Sequence, residues 1–209
     1  MTITTAQLVA ASPRARQDIV EAIAANWDDV STKYGLTNRN RALGFLSTAY
    51  EESGGFTVTS ENLNYSAARA TQIFPYYFPT LADAQPYAYK PEAFANRVYG
   101  ARMGNVGPDD GWRYRGQGLI QITGHDNFDM LAKITGLPLL DTPAMVMSDE
   151  YMLECSIALF SRYPNILSYC DGRAWGTVWA LVGSGRPTGP VINLQNHLDA
   201  LAALEKVVT

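Results

Sequence analysis

Two adjacent acids, Glu51 and Glu52, stand in the stretch AYEESGGF (residues 49–56), followed by the glycine pair Gly54 and Gly55. A third acid, Glu61, comes nine residues after Glu52 in TSENLNYS, among Ser60, Asn62 and Asn64. Two carboxyls whose surroundings push their proton affinities apart are what glycoside hydrolysis uses. One stays protonated and supplies a proton to the leaving oxygen; the other is ionised and activates water. The same residue types also occur as solvated charges at a helix end and in a loop, and composition leaves both readings open.

Helical phase ranks the pair. The periodicity predicts a helix over Arg39–Ser53 that stops at the glycines. At about 100° per residue, Ala42, Leu43, Phe45, Leu46, Ala49 and Tyr50 fall on one broad side, with Glu52 at its edge. Glu51 falls on the other side, in line with Gly44, Ser47 and Thr48, and is expected to meet water. Partial burial, the negative end of the helix dipole and the neighbouring Glu51 charge all favour the protonated form of Glu52. Glu52 is therefore the candidate general acid. Glu61, in a polar stretch that favours an ionised carboxylate, is the candidate base.

A second constellation lies in GWRYRGQGLIQITGHDNF, residues 111–128. Trp112 and Tyr114 alternate with Arg113 and Arg115, and glycines frame Gln117. If LIQIT is extended, Gln121 and Thr123 project to one side. Aromatic faces stack on sugar rings, and amides hydrogen-bond hydroxyl and acetamido groups. The other reading is a loop whose aromatics close the core and whose glycines serve turns.

The elements that must hold these residues read mainly as helices. They are expected over residues 5–11, over 15–34 with Gly35 closing, from the Ser66 cap through Phe74, and over 125–136. Three more are expected near 148–162 (capped by Ser148), 172–182 and 190–207. Residues 56–62 alternate like a strand, which predicts a small hairpin beside the acids. The proline- and tyrosine-rich residues 75–100 read as short helices and ordered turns, and 103–118 as a glycine-rich loop.

The 209 residues, 47% hydrophobic and 17% charged, describe a folded chain that buries a core. A net charge of −4 argues against nucleic acid as the main partner, because phosphate binding wants a basic face. No apolar run approaches the roughly 18 residues of a membrane span, so no stable membrane insertion is expected. The start, MTITTAQLVAASPRAR, lacks a cationic lead before its short apolar patch, so no secretory signal is predicted. Cys155 and Cys170 are too few for a disulfide scaffold and match no zinc spacing, although they could pair. His125 and His197 cannot build a multi-histidine site, so no metal and no cofactor are expected.

EESGGF with ENLNYS, followed by RMGNVGPDDGWRYRGQGLIQITG and NF, resembles the glycoside hydrolase family 19 domain over about Arg41 to Phe128. Within that family the likeness is to compact bacteriophage endolysins more than to plant chitinases. The resemblance implies one catalytic domain over residues 1–209, with no separate wall-binding domain. Its fold would be mainly α, lysozyme-like and two-lobed, with a small β-hairpin beside the cleft. It implies a general acid at Glu52, a second catalytic carboxylate at Glu61, and Thr123 helping to position water. Asn62, Tyr65, Tyr114, Arg115, Gln121 and Asn127 would contact substrate.

The implied activity is inverting hydrolysis of the β-1,4 bonds of peptidoglycan during host lysis. Chitin is the alternative substrate, and a glycan-binding protein without catalysis or a lytic transglycosylase are the competing classes. A monomer is expected, acting on peptidoglycan glycan strands. It would wait in the host cytoplasm, then reach the periplasm and cell wall once a holin or membrane disruption lets it through. The chain departs from the family pattern at Glu51 (a histidine there), Gln117 (an arginine) and Val182 (an asparagine). An arginine expected in the last helix is not evident, and Arg186 is the nearest substitute.

Overall fold

The computed structural model describes residues 1–209. Twelve α-helices carry it, in the order α1 (Thr5–Ala11), α2 (Gln17–Lys33), α3 (Arg39–Glu52), α4 (Ala67–Ile73), α5 (Leu81–Ala84) and α6 (Pro91–Tyr99), then α7 (Asp110–Arg113), α8 (His125–Thr135), α9 (Met152–Ser161), α10 (Ile166–Asp171), α11 (Trp175–Ser184) and α12 (Leu194–Glu205). None is long and apolar enough to cross a membrane. The chain divides into two compact units. One comprises Met1–Thr59, Gly118–Gln121 and Ala144–Thr209; the other comprises Ser60–Gln117 and Ile122–Pro143.

In the first unit α3 is the central element. Its start is capped by Asn38, whose side chain accepts from the Arg41 N–H at 3.0 Å. The Arg41 guanidinium forks onto Asp171 at the end of α10 and also donates to the Gly35 carbonyl. Every residue from 42 to 49 is buried. Phe45 packs between Trp27 of α2 and Phe160 of α9, with ring centroids 6.2 and 5.6 Å away.

The opposite side of α3 is covered as well, which corrects the expected solvent face. Gly44 lies so close to α10 that a Cβ there would sit 2.4 Å from Cys170 Sγ. Ser47 Oγ accepts from the Trp179 indole N–H of α11 at 3.2 Å. The small residues Gly44, Ser47 and Thr48 form a close-packing stripe, which a wheel of hydrophobicity mistakes for a wet one. Both cysteines are free and buried in this packing, which pushes their thiols up to about 12.

After Glu52 the chain reverses within four residues. Ser53 Oγ donates to the Ala49 carbonyl and accepts from the Phe56 N–H. Gly54, Gly55 and Phe56 all take positive φ (60°, 78° and 59°), a sequence of left-handed turns that the glycine pair permits. Phe56 is thereby buried edge-on to Tyr50 at 5.5 Å. The strand expected over 56–62 does not form. Ser60 alone pairs with Gln117, which also pairs with Ile122, so the β element consists of two isolated bridges.

The second unit has its own aromatic core, with Phe78 and Phe94 at 5.0 Å and Tyr65 and Phe74 packed on Phe94. Pro91 occupies the first turn of α6, where its missing N–H costs nothing. α6 meets α7 closely because Gly111 has no side chain; a Cβ there would lie 2.6 Å from the Ala95 carbonyl oxygen and from Asn96 Cα. Asn96 Oδ1 also accepts from the Trp112 N–H at 2.7 Å. Gly111→Ala is expected to cost about 1–3 kcal/mol by overpacking backbone that cannot rotate away, read as a lowered urea midpoint.

Candidate active site

Glu52 ends α3 and lines a recess of about 300 Å³ in the first unit with Thr48, Glu51, Trp179, Val182 and His197. Burial, and then the charge of Glu51, raise the Glu52 carboxyl from its ordinary value of 4.5 to about 7. It can therefore hold a proton near neutral pH and release it to a leaving group.

Glu51 is not on a wet face. Its side chain is only 11% exposed. Oε1 accepts from Asn193 Nδ2 at 2.8 Å, and Oε2 faces His197 Nε2 at 3.9 Å. The close-packed stripe lets α10 and α11 cover this side of α3, and the start of α12 covers Glu51 itself through Asn193 and His197. Val182 lines this recess, while Arg186 does not. The last helix presents His197, not an arginine.

Glu61 sits in the second unit. Its N–H donates to the Gly116 carbonyl at 2.9 Å. Tyr99 Oη donates to both carboxylate oxygens, at 2.7 and 2.9 Å. Burial raises the Glu61 carboxyl above its ordinary value, opposed by the Tyr99 hydroxyl, the Gly116 backbone and the Arg115 charge. The surroundings are thus less polar than the flanking Ser60, Asn62 and Asn64 suggest. Nothing in the spacing of Tyr99, at the end of α6, distinguishes it from the other tyrosines of that segment, so the sequence alone does not point to it.

The remaining predicted residues divide by environment. Arg115 stacks on Trp112, its guanidinium carbon 3.9 Å from the ring centroid, and burial lowers its own proton affinity while Glu61 raises it. Tyr65 packs in the aromatic core and feels the Glu61 charge. Asn62 is exposed, its Oδ1 closing a local turn onto the Asn64 N–H at 3.0 Å. Asn127 folds back from α8 to donate to the Thr123 carbonyl at 2.7 Å, which fixes the backbone at Thr123.

Tyr114 and Gln121 depart from expectation. Tyr114 is 4% exposed, packs on His125 and Phe128, and donates its hydroxyl to the Leu140 carbonyl at 3.2 Å. It closes the core and does not offer a face to a sugar ring. LIQIT is not extended. Ile122 and Gln117 exchange N–H···O=C bonds across a tight turn in which Gln121 takes φ +52°, so alternation does not set where Gln121 and Thr123 point. Gln117 is itself buried and donates its amide to the Arg113 carbonyl at 2.9 Å.

No family model matches the chain. Over 126 residues it is 44% identical to a glycosyl hydrolase family 19 domain-containing protein of Haemophilus influenzae, covering 59% of this chain and 61% of that protein. The aligned region thus spans about three fifths of that relative's length. Among solved structures, chitinase C from Streptomyces griseus matches over 99% of this chain and 76% of its own, with a TM-score of 0.63 at 14% identity. A bacterial family 19 chitinase matches over 100% of this chain and 95% of its own, with a TM-score of 0.59 at 16% identity. The fold is therefore the mainly helical, lysozyme-like fold of the family 19 chitinases.

Proposed function

We propose that this chain is a family 19 glycosidase that hydrolyses the β-1,4 bonds of peptidoglycan glycan strands, with inversion, as a bacteriophage endolysin. The observation that carries the reading is the Glu52 carboxyl, raised to about 7 by burial and by Glu51 at the end of the helix that bears the acid motif. A group in that condition donates a proton to a glycosidic oxygen at neutral pH, which a free glutamate cannot do efficiently. Glu61 is the second carboxylate by motif position and activates the attacking water.

The Haemophilus influenzae relative supports family membership. Peptidoglycan is favoured by the short, nine-residue step from Glu52 to Glu61, which resembles that of the endolysins. On this reading the protein works as a monomer, waits in the host cytoplasm and meets its substrate in the periplasm after the membrane is breached. Chitin is the second reading, favoured because the solved structures sharing the fold are chitinases. Purified sacculi and chitin oligomers, digested separately and resolved by mass spectrometry, discriminate the two. Muropeptides with new reducing ends are expected from sacculi; cleavage of chitin oligomers with intact sacculi would replace the first reading by the second. Anhydro ends would instead mean a transglycosylase.

A further inference from the structure

Glu61 is held by a residue that lies outside both motif stretches. Tyr99 is the last residue of α6, and its hydroxyl is shared between the two Glu61 carboxylate oxygens at 2.7 and 2.9 Å. Its ring packs against the aromatic core around Phe94, and its carbonyl accepts from Asn105 Nδ2 at 2.8 Å. Asn105 is buried, and its Oδ1 accepts from the His125 N–H at 2.9 Å. One buried amide thus ties the end of α6 to the start of α8, and the phenol carries that anchorage to the carboxylate.

The tie matters because a glutamate carboxylate turns easily about its terminal torsion, where no staggered well holds it. A base that takes a proton from attacking water must present an oxygen in a fixed direction, and a misplacement of about 1 Å costs on the order of 10²-fold in rate. A hydroxyl proton lying between the two oxygens removes that freedom. It occupies only part of their roughly four acceptor sites and leaves the rest for water. Burial, and then the Glu61 charge, keep the phenol protonated above the ordinary tyrosine range, so it remains a donor wherever the reaction runs. We propose that Tyr99 is a positioning residue for the catalytic base: its hydroxyl, anchored through Asn105, fixes the direction in which the Glu61 carboxylate faces water. The proposal rests on the reading of Glu61 as that base.

Three further ionisable groups face the pair. Arg115, beyond α7, acts on Glu61 by its charge while donating to the Trp112 carbonyl at 3.0 Å. Tyr65, ahead of α4, meets both Glu61 and Tyr99, and Arg102, beyond α6, faces Tyr99. Glu92 on α6 and Arg69 on α4 act one step further out, on Arg115 and on Tyr65. Among the groups that oppose the effect of burial on Glu61, the Tyr99 hydroxyl comes first, ahead of the Gly116 backbone and Arg115. Its loss should therefore raise the proton affinity of Glu61.

Tyr99→Phe keeps the ring and removes the hydroxyl. Followed by NMR across pH without substrate, the Glu61 midpoint is expected to rise by about one pH unit, the size of one lost hydrogen bond to a charged group. On soluble strands of the glycan that the parent cleaves, kcat should fall about 10–100-fold while KM stays within about twofold, because the tie serves the attacking water and not glycan binding. The low-pH limb of activity should move up with Glu61. A merely loosened fold would not move that limb. An unmoved Glu61 midpoint, or a kcat and low-pH limb at parent values, would overturn the proposal.

If Tyr99→Phe does not fold, the parent protein still decides. Protonating Glu61 weakens the acceptor of the phenol, so the Tyr99 Cζ signal should change with the same midpoint as the Glu61 carboxyl. A Tyr99 signal indifferent to that titration overturns the proposal. The expected Glu61 shift in a protein that cleaves no glycan overturns the role by removing the base it serves. An unmoved midpoint in an active enzyme overturns this inference alone.

Discussion

Glu52→Gln is expected to abolish glycan cleavage and at the same time to stabilise the folded protein at neutral and mildly alkaline pH. Loss of a general acid lowers the rate by roughly 10²–10⁴-fold, so released reducing ends should fall to near background. The stability effect follows from the same burial. The Glu52 carboxyl has an ordinary value of 4.5 and is raised to about 7 in the fold. Between those pH values the folded chain keeps a proton that the unfolded chain has lost, so parent stability declines as pH rises through this window and levels off above it. The gap corresponds to roughly 3 kcal/mol as an upper figure. Glutamine carries no charge to desolvate. The variant should therefore show a higher urea midpoint than the parent at pH 8 and nearly the same midpoint at pH 4. A midpoint at pH 8 equal to or below the parent's would mean that burial does not hold this proton. The parent's activity should also fall as pH rises through about 7, since the acid must be protonated to act.

The same residue shows what could be read from sequence. The end of α3 at the glycine pair and the position of Glu52 beside apolar surface follow from helical phase, because Phe45 and Ala49 mark the core side without ambiguity. Glu51 was not readable. Its environment depends on whether Gly44, Ser47 and Thr48 face water or another helix, and small polar residues do both. The approach of α10, α11 and α12 decides it. Around Glu61 the flanking asparagines suggested a wet loop, whereas the governing partner, Tyr99, arrives from a different helix. LIQIT misleads for another reason: the four alternating residues Ile120–Thr123 fit an extended run as well as a turn closed by Gln117 and Ile122, and a positive φ at Gln121 separates them. His197 was in principle visible. It shares a helical face with Leu201 and Leu204, which places a titratable ring on the buried side of α12. Tyr114 lies in the stretch that carries the resemblance yet is buried, so part of that motif is a packing signature and not a list of sugar contacts.

Glu61→Gln separates the mechanistic classes that share an acid at Glu52. An inverting hydrolase needs a second carboxylate to take a proton from water as it attacks the anomeric carbon, and its removal should cost roughly 10²–10⁴-fold in rate. A lytic transglycosylase needs one acid and should keep most of its activity. The amide is nearly isosteric and can still accept a hydrogen bond from Tyr99, so the fold around α6 should persist and urea midpoints should change little. The pH profile supplies an independent reading. Glu61 must be ionised to act, so activity falls at low pH as it takes up a proton. Burial raises that carboxyl above its ordinary 4.5 despite Tyr99, Gly116 and Arg115, and the low-pH limb should lie correspondingly higher. With Glu52 closing the profile from the alkaline side near 7, the active range is expected to lie on the acidic side of neutrality. A Glu61→Gln protein with near-parent release of reducing ends, or a low-pH limb at or below that of an exposed glutamate, would strip Glu61 of its role as base. Glu52 would then remain as a lone acid, and the reaction would have to find its second participant in the substrate.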